Sequence, residues 1–340
     1  MDSLTQIVLG AACGEAVLGK KIGNKALLFG AIGGTIPDLD VIIGNLFYKN
    51  EIDAMLFHRG FMHSILFAII GTFVFGWLVY KLYDRGKREE STTLKDWQKL
   101  FFWSLLTHPI LDCFTPYGTQ LFAPFSDYRV AFNNIAVADL FYTIPFLTCM
   151  IVMMFYNRQN KKRKYWWKLG VGISSIYMIL TIVNKLYIDS VFESSLIEKG
   201  ISHQRFSTQP SIFNNVLWYG IAETEDSYQV AYYSLFDSTN IFSEWNILQK
   251  TRVLKPEDYE DLEHLAWFSN NYYSIENLEE NDYIYKDLRY PLIKTKDGYK
   301  PVFNLKLYKT DSRLGMKPFT PEFDGFWATM NSIYQRAKGK

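Results

Sequence analysis

Three long apolar segments, at residues 60–80, 135–156 and 166–187, restrict what this chain can fold into. Each has about 20 residues, the length that an α-helix needs to cross the hydrocarbon core of a bilayer. Segment 60–80 contains no acidic or basic side chain except His63, and segment 135–156 has Asp139 near its start. These segments predict membrane-spanning helices.

Three weaker apolar segments accompany them, and each is short or interrupted by glycine, proline or an acidic residue: 4–19, 26–47 and 100–115. On length alone they would also suit core helices of a soluble protein. Beside three strong candidates, we interpret them as helices of the same bundle. The predicted fold class is mainly α, with a polytopic membrane helix bundle of about six helices in residues 1–188 and a small soluble α+β domain in residues 189–340.

Basic residues of the first 188 positions are concentrated in alternate loops. Basic loops stay in the cytoplasm, so six helices fit an arrangement in which both ends of the bundle lie outside. The start, "MDSLTQIVLG", lacks the basic region of a cleavable signal peptide. We therefore predict a multi-pass protein of the bacterial inner (cytoplasmic) membrane with an extracytoplasmic C-terminal domain. The basic groups are Lys20, Lys21 and Lys25, six residues from Lys81 to Lys99, and six from Arg158 to Lys168.

Residues 189–340 are rich in aromatic residues and show the alternation of β-strands. It is clearest in "SYQVAYYSLF" and "GYKPVFNLKLYK". Helical pieces are predicted near 255–268 and 321–338. We expect this domain to cap the membrane-embedded site and to shape the entry of substrate.

The charge of the chain excludes one class of function. A net charge of +1 conceals a balance of +6 through Ile188 and −5 beyond it, and neither part has the basic stripe of a nucleic-acid-binding surface. No nucleic-acid partner is therefore predicted. The three cysteines form no CxxC pair, so we interpret them as small buried hydrophobic residues. The oligomeric state stays open.

Good metal ligands occur at the predicted outer ends of the helices. "HPILD" places His108 and Asp112 four residues apart, on one face of a helix. In "PDLD" the two carboxylates would diverge on a regular helix, and they converge only if the backbone after Pro37 is irregular. Ionisable groups in membrane segments are costly unless they are paired, solvated or coordinated. With the two histidines of "HRGFMHS", the predicted metal ligands are Asp38, Asp40, His58, His63, His108 and Asp112.

The composition of this ligand set indicates the kind of metal. Nitrogen and oxygen ligands without cysteine favour Zn²⁺, with Mn²⁺ and Fe²⁺ as alternatives. Six ligands exceed the need of one tetrahedral site, so two or three divalent ions are predicted. Each motif alone has an ordinary explanation, as a hydrogen-bonded core histidine or as capping carboxylates. The convergence of three motifs on one side of the membrane favours the metal site.

Two arginines lie in the predicted outer loops of the bundle, Arg59 and Arg129. A guanidinium beside metal ions suits a phosphate or another oxyanion. Arg59 is therefore a candidate for stabilising charge in catalysis, and Arg129 a candidate for binding substrate, although Arg129 could equally pair with Asp127 or a lipid headgroup. Asp2 is expected to cap the first helix, and whether Asp2 or Gln6 joins the site stays open.

A set of motifs in order resembles one known family: "MDSLTQ", "GTIPDLD", "HRGFMHS", "THPILDCFTPYGTQLFAPFS" and "FNN". The chain resembles the bacterial inner-membrane metal-dependent hydrolases of the YdjM type, regarded as distant relatives of the zinc-dependent phospholipase C superfamily. The resemblance covers the N-terminal half and is expected to continue into residues 204–237. It implies the same six metal ligands, and it adds Asp139 as a further ligand or a catalytic base. Relatives often have Asp-Pro there, whereas Leu140 follows Asp139 in this chain.

The leading hypothesis is a metal-dependent hydrolase with its site at the outer membrane–water boundary. Two cations would activate water for attack on a phosphoester, and Arg59 would help to stabilise the developing charge. A lipid or lipid-like molecule is the expected substrate, because the site opens where headgroups lie. Two alternatives stay open. One is a metal-binding transporter, although residues 66–80 offer it no polar path, and the other is a non-catalytic membrane protein.

Overall fold

The structure is a computed structural model that divides into two compact units. Unit 1 consists of Met1–Gly44 and Phe57–Ile182, and unit 2 of Asn45–Leu56 and Val183–Lys340. The structure describes residues 1–279, 282–295, 298–310, 312–320 and 325–340.

The α-helices of the first 200 residues lie within 3–112 and 140–198, and each predicted apolar segment contains an observed helix. Segment 26–47 is divided into α2, a 3-10 helix and α3, and α4 is a helix that the apolar pattern does not predict. The 3-10 helices are Ile36–Leu39, Phe61–His63 and Gly86–Arg88. The α-helices are α1 (Ser3–Ile22), α2 (Asn24–Thr35), α3 (Asp40–Phe47), α4 (Glu51–Phe57), α5 (Ile65–Tyr83), α6 (Leu94–Asp112), α7 (Leu140–Met154) and α8 (Lys161–Glu198).

Local sequence signals fix where several of these helices begin. The Asp2 carboxylate accepts a hydrogen bond from the backbone N–H of Thr5 at 3.0 Å, and Ser64 caps α5 in the same way. Thr93 and Asp96 form a capping box at the start of α6. The capping role expected for Asp2 is thereby confirmed.

Several helices are apolar enough to cross a membrane. The apolar side chains Ile70, Phe73 and Trp77 of α5 are exposed, which suits contact with lipid. α7 has only 15 residues, because Asp139 caps its start. A bundle of six membrane-spanning helices is therefore not confirmed. Among the described residues, the helical stretches long enough to span are Asn24–Phe47, Ile65–Tyr83 and Lys161–Glu198.

Glycines bring α1 and α2 into backbone contact. A Cβ atom at Gly10 would lie 2.3 Å from the carbonyl oxygen of Gly30, and one at Gly34 would lie 2.6 Å from that of Gln6. Side-chain carbons do not approach oxygen so closely, so these positions accept only glycine without a shift of the backbone. The contact places Gln6 beside the end of α2, where the "PDLD" sequence follows.

The described part of unit 2 contains two four-stranded antiparallel sheets, each with its strands in sequential order. The strands predicted from "SYQVAYYSLF" and "GYKPVFNLKLYK" are observed as β3 and β7. The first sheet is formed by β1 (Arg205–Pro210), β2 (Leu217–Glu223), β3 (Ser227–Ser234) and β4 (Ser243–Gln249). The second is formed by β5 (Tyr273–Glu279), β6 (Asp282–Thr295), β7 (Gly298–Lys309) and β8 (Leu314–Phe319).

Two helices of the C-terminal region agree with the predicted helical pieces. They are α9 (Glu260–Phe268) and α10 (Phe326–Ala337). Residues 321–324, where the second predicted piece begins, lie outside the described residues. The end of α8 also contributes to unit 2, because its fully buried Phe192 packs with Trp218 and Phe242 in one hydrophobic core.

The segment 45–56 belongs to unit 2 although it lies early in the chain. Ile52 of α4 is fully buried in the core that contains Leu262. The Arg313 guanidinium donates two hydrogen bonds to the Asp53 carboxylate, at 2.7 and 2.8 Å. These partners explain why a short helix forms in a segment without a strong helical pattern.

Candidate metal centre

The "PDLD" sequence has the irregular backbone that its spacing requires. Residues Ile36–Leu39 form a 3-10 helix, and Pro37 lies in its first turn, where the missing N–H has no helical partner to lose. The break directs Asp38 and Asp40 to opposite edges of the His63 ring. Asp38 Oδ1 lies 3.4 Å from His63 Nε2, and Asp40 Oδ2 lies 3.0 Å from His63 Nδ1.

Three possible ligand atoms form a nearly equilateral triangle, namely Asp38 Oδ1, His63 Nε2 and His108 Nε2. The two nitrogen atoms are 3.1 Å apart, and each lies 3.4 Å from the oxygen. Both histidines are buried, whereas Asp38 is partly exposed. Atoms bound tetrahedrally to one zinc ion at about 2.0–2.1 Å lie roughly 3.3 Å from one another. The triangle therefore fits one face of a zinc coordination shell.

Contacts at the other ring nitrogens place a proton on each Nδ1 atom, which leaves the Nε2 atom of a neutral ring with a lone pair. His108 Nδ1 lies 2.6 Å from the carbonyl oxygen of Gly34, and because a carbonyl only accepts, Nδ1 carries the proton. His63 Nδ1 faces the Asp40 carboxylate without the alignment of a hydrogen bond, and the negative charge favours a proton on that nitrogen. A neutral imidazole protonated at Nδ1 keeps Nε2 for a metal.

Asp112 borders the triangle. Its Oδ2 lies 3.5 and 3.7 Å from the two histidine Nε2 atoms. This oxygen is buried and accepts no aligned hydrogen bond within the described part of the chain, although Arg59 Nε lies 3.1 Å away. Oδ1 accepts hydrogen bonds from the Gln6 side chain, at 2.8 Å, and from the α-amino group of Met1. Asp112 is thus available as a further ligand.

His58 contacts the cluster through Asp40. Its Nδ1 lies 2.8 Å from Asp40 Oδ1, and the Asp40 Oδ2 atom accepts from the backbone N–H of Arg59 at 2.9 Å. His58, Asp40 and His63 form a second group whose ligand atoms all lie within 4.8 Å of one another. An ion there would use His63 Nδ1, so a ring that also binds through Nε2 would have to lose both protons. The geometry supports one ion more directly than two.

Arg59 is held beside the ligands by an unusual backbone conformation. Its φ of 60° is left-handed, and the residue is only 4% exposed. The guanidinium donates to Thr115 Oγ1 at 2.9 Å and lies 4.7 Å from the centroid of the Tyr117 ring. The turn lets the backbone N–H reach Asp40 while the side chain reaches Asp112. Arg59 therefore positions two carboxylates and offsets their charge.

Arg129, the predicted substrate-binding arginine, shares an aromatic neighbour with Arg59. Its guanidinium lies 5.1 Å from the centroid of the Tyr117 ring, and Nη2 donates to the carbonyl oxygen of Gly118 at 3.0 Å. Cation–π contacts of this kind fix the direction of an arginine without neutralising its charge. Tyr117 thus lies between the guanidinium groups of Arg59 and Arg129.

Asp139 caps α7. One carboxylate oxygen accepts from the backbone N–H groups of Phe141 and Tyr142, at 2.9 and 3.1 Å. The Tyr177 hydroxyl lies 3.1 and 3.0 Å from its two oxygens. Within the described residues, none of the predicted metal ligands is a hydrogen-bond partner of Asp139. The structure gives Asp139 a capping role, and its catalytic role stays a prediction.

Gln6, whose role the sequence left open, and Gly34, which it did not indicate, both contribute to the cluster. Gln6 donates from its side chain to the Asp112 carboxylate and, at 3.2 Å, to the carbonyl oxygen of His108. A side-chain amide within an apolar helix needs a buried polar partner, and this signal could have assigned Gln6 to the cluster. Gly34 contributes only its backbone carbonyl, which no side-chain pattern reveals.

Residues 1–188 match the protein family described as YdjM inner membrane protein. The match covers more than half of the 340 residues and includes every ligand of the cluster. The chain belongs to the YdjM inner membrane protein family. This YdjM membership and the apolar helices make it an inner membrane protein. Residues 204–237, where the resemblance was expected to continue, lie beyond the YdjM match.

One relative is the uncharacterized protein YfhP of Bacillus subtilis (strain 168), which is 30% identical over 162 residues. The aligned region covers 45% of this chain and 46% of YfhP, so the chain spans about half the length of the relative it matches. No solved structure matches the chain.

Proposed function

We propose that this protein is a membrane-integrated, metal-dependent hydrolase that cleaves a phosphoester of a lipid or lipid-like substrate at the outer membrane face. The triangle of Asp38 Oδ1, His63 Nε2 and His108 Nε2 carries the proposal. Three electron-pair donors within 3.4 Å of one another repel unless a cation or a proton lies between them. Each Nδ1 already carries a proton in these contacts, so either a second proton or a metal ion would have to lie between the Nε2 atoms, and the spacing of the three donor atoms matches a zinc coordination shell.

The residues around the triangle have separate tasks in this proposal. The triangle and Asp112 would hold one ion, and Asp40 and His58, the candidate ligands of a second ion, would act on the first as outer partners. Zn²⁺ suits this donor set and would supply Lewis acidity and reactive water near neutral pH. The Gly34 carbonyl and Asp40 orient the histidines, as outer partners of metal ligands do elsewhere. Arg59 holds Asp112 in position.

Two arginines favour a phosphate-bearing substrate. The buried Arg59 guanidinium would stabilise negative charge that develops beside the cluster, and Arg129 would bind a non-bridging phosphate oxygen. An inner-membrane location supplies lipid phosphoesters as the nearest substrates. A distant relation to the zinc-dependent phospholipase C superfamily belongs to the same proposal, as does Asp139 as a ligand or base.

One experiment addresses metal binding and catalysis together. The full chain, purified in detergent, is assayed for bound metal by mass spectrometry and for headgroup release from a panel of phospholipids. We expect stoichiometric zinc, and hydrolysis that a chelator abolishes and zinc restores. The double variant His63→Ala/Asp112→Ala should lose both, and the matched pair His203→Ala/Asp226→Ala in unit 2 should retain both.

The outcomes separate the proposal from its alternatives. Hydrolysis that persists in His63→Ala/Asp112→Ala would contradict the metal-dependent mechanism. The absence of stoichiometric metal from the purified chain would also contradict it. Bound metal without hydrolysis, combined with metal transport into vesicles, would favour a transporter.

We further propose a multi-pass topology with the cluster and the C-terminal unit on the extracytoplasmic side. Support comes from the basic residues of Lys81–Lys99 and Arg158–Lys168, which would lie in the cytoplasm. A membrane-impermeant maleimide should label Thr239→Cys, at an exposed position of unit 2, in intact spheroplasts and Lys87→Cys only after lysis. The unsubstituted chain is the control, because Cys113 and Cys149 are buried and Cys13 is partly buried. The reverse labelling pattern would overturn the topology.

A further inference from the structure

A basic cavity opens in unit 1 where the second half of α1 meets the connection from α7 to α8. Its volume is about 420 Å³, within the range of small-molecule sites. None of the predicted metal ligands lines it. The lining includes one carboxylate and five basic side chains, namely Glu15, and Lys20, Arg158, Lys161, Arg163 and Lys164.

The carboxylate in this lining is already neutralised. Arg163 is 2% exposed, and its Nε and Nη2 atoms donate to the two Glu15 oxygens at 2.8 and 2.5 Å. Its Nη1 donates to Asn24 Oδ1 and to the carbonyl oxygen of Tyr156. A Cβ atom at Gly19 would lie 2.3 Å from the Glu15 carboxyl, so glycine leaves space for this pair. The Glu15–Arg163 ion pair therefore forms one side of the cavity and contributes no net charge to it.

Four basic side chains around the cavity have no counter-ion among the residues that the structure describes. Lys20, Lys161 and Lys164 are exposed, and no carboxylate pairs with them in the described part of the chain. Arg158 donates to the backbone carbonyl of Lys21, which carries no charge. Cations gathered around one cavity repel one another, so a bound anion would lower their electrostatic energy.

The position and the apolar part of the lining indicate the source of that anion. Val17 and Trp167 also line the cavity, and the Trp167 indole N–H donates to the carbonyl oxygen of Ala12 at 2.9 Å. The cavity lies at the first turns of the candidate span Lys161–Glu198. Basic pockets at the ends of membrane helices meet the phosphate layer of the bilayer. We propose that this cavity binds the headgroup phosphate of an anionic phospholipid.

The test compares lipid binding by two variants with the same change of charge. Binding of dioleoyl phosphatidylglycerol and dioleoyl phosphatidylcholine to the full chain in neutral detergent is measured by native mass spectrometry. We expect preference for phosphatidylglycerol and a loss of about fivefold in affinity for each lysine removed in Lys161→Gln/Lys164→Gln. Lys161→Arg/Lys164→Arg should retain binding. The control Lys95→Gln/Lys99→Gln, in exposed positions of α6 outside the cavity, should bind normally.

Each result bears on the proposal. If Lys161→Gln/Lys164→Gln loses affinity for phosphatidylglycerol, the control pair keeps it, and the melting temperature in phosphatidylcholine is unchanged, the cavity is supported as the lipid site. Equal loss in both glutamine pairs would mean attraction by general surface charge and would overturn the site. Inorganic phosphate that competes at concentrations similar to those of the lipid would assign the cavity to free phosphate instead. This inference does not depend on hydrolase activity.

Discussion

The Nε2 atoms of His63 and His108 lie 3.1 Å apart in the interior of unit 1. Each ring has its other nitrogen beside an acceptor, the Asp40 carboxylate for His63 and the Gly34 carbonyl for His108. Two nitrogen lone pairs at this distance repel each other unless a positive charge lies between them. The Asp38 carboxylate oxygen adds a third lone pair to the group. This relationship makes the metal hypothesis specific to particular atoms.

The first prediction separates His63 from His58. His63→Ala removes a corner of the triangle, so metal affinity should fall by more than the roughly 10–100-fold that changes in outer partners cause. His58→Ala should stay within that range, because the His58 imidazole hydrogen-bonds to Asp40 and meets the His63 ring edge to face, with centroids 5.6 Å apart, without joining the triangle. Titration against a chelator of known affinity measures both. An equal loss in the two variants would place His58 among the primary ligands.

The second prediction concerns Asp40. Asp40→Asn removes the charge that favours the Nδ1 proton of His63, and we expect metal affinity about 10–100-fold lower with one ion still bound. Metal content and affinity are measured together on the full chain. Asp127→Asn is the control. A fall in stoichiometry from two ions to one would show that Asp40 binds a second ion directly.

The third prediction distinguishes a cap from a catalytic base at Asp139. Asparagine caps helices almost as well as aspartate, whereas alanine loses about 0.5–2 kcal/mol. We expect Asp139→Asn to keep its stability and Asp139→Ala to unfold at lower temperature, and hydrolysis that Asp139→Asn retains would leave Asp139 with the capping role alone. If Asp139→Asn keeps its stability but loses 100-fold or more in rate, the residue is a general base.

The fourth prediction tests the contact between α1 and α2. Gly10→Ala would place a methyl group 2.3 Å from the Gly30 carbonyl oxygen, and overpacking of this kind costs about 1–3 kcal/mol. Gly172→Ala is the matched control, because no atom lies within 4 Å of its added Cβ. Thermal unfolding in detergent should show a lower midpoint for Gly10→Ala only. Unchanged midpoints in both variants would contradict the close helix pair.

The fifth prediction is a pH dependence in unit 2. The hydrogen bonds from Arg313 hold the pKa of Asp53 below its usual range, against the opposing effect of partial burial. A lowered pKa stabilises the fold above the unfolded-state pKa of about 3.9, and this contribution is lost as pH falls through the folded-state pKa.

Asp53→Asn should therefore lower the melting temperature at pH 7 by about 1–3 °C, as expected for a partly exposed ion pair. The difference from the unsubstituted chain should shrink towards pH 3. Asp226→Asn, at an exposed position, should behave like the unsubstituted chain at both pH values. A difference that grows on acidification would contradict the assigned pair.

Sequence patterns predicted the helices and the ligand motifs because both are local. The positions of His108 and Asp112 on one helix, and the break after Pro37, follow from spacings of a few residues. The segment around Ile52 could not be predicted in the same way, because its partners lie in the C-terminal half. The Asp53–Arg313 pair joins residues 260 positions apart.

The roles of Asp139 and Arg59 show a different limit. A capping aspartate and a catalytic aspartate at a helix start have the same sequence appearance, and only the partners of Asp139 distinguish them. The left-handed conformation of Arg59 is likewise set by tertiary contacts, since arginine has no intrinsic preference for it. Backbone contributions such as the Gly34 carbonyl leave no trace in a side-chain pattern.

The path of the chain through the two units restricts how the two units can evolve. The segment 45–56 is part of unit 2, while Asp40 and His58 on either side of it are part of unit 1. The chain therefore changes unit after Gly44, Leu56 and Ile182, and no one cut separates the units. A truncation after residue 182 would leave the loop between two ligands without its folding partners. A mutation that unfolds the C-terminal sheets would thus also disturb the segment between Asp40 and His58. Selection that preserves these two residues would therefore act on the sheets as well.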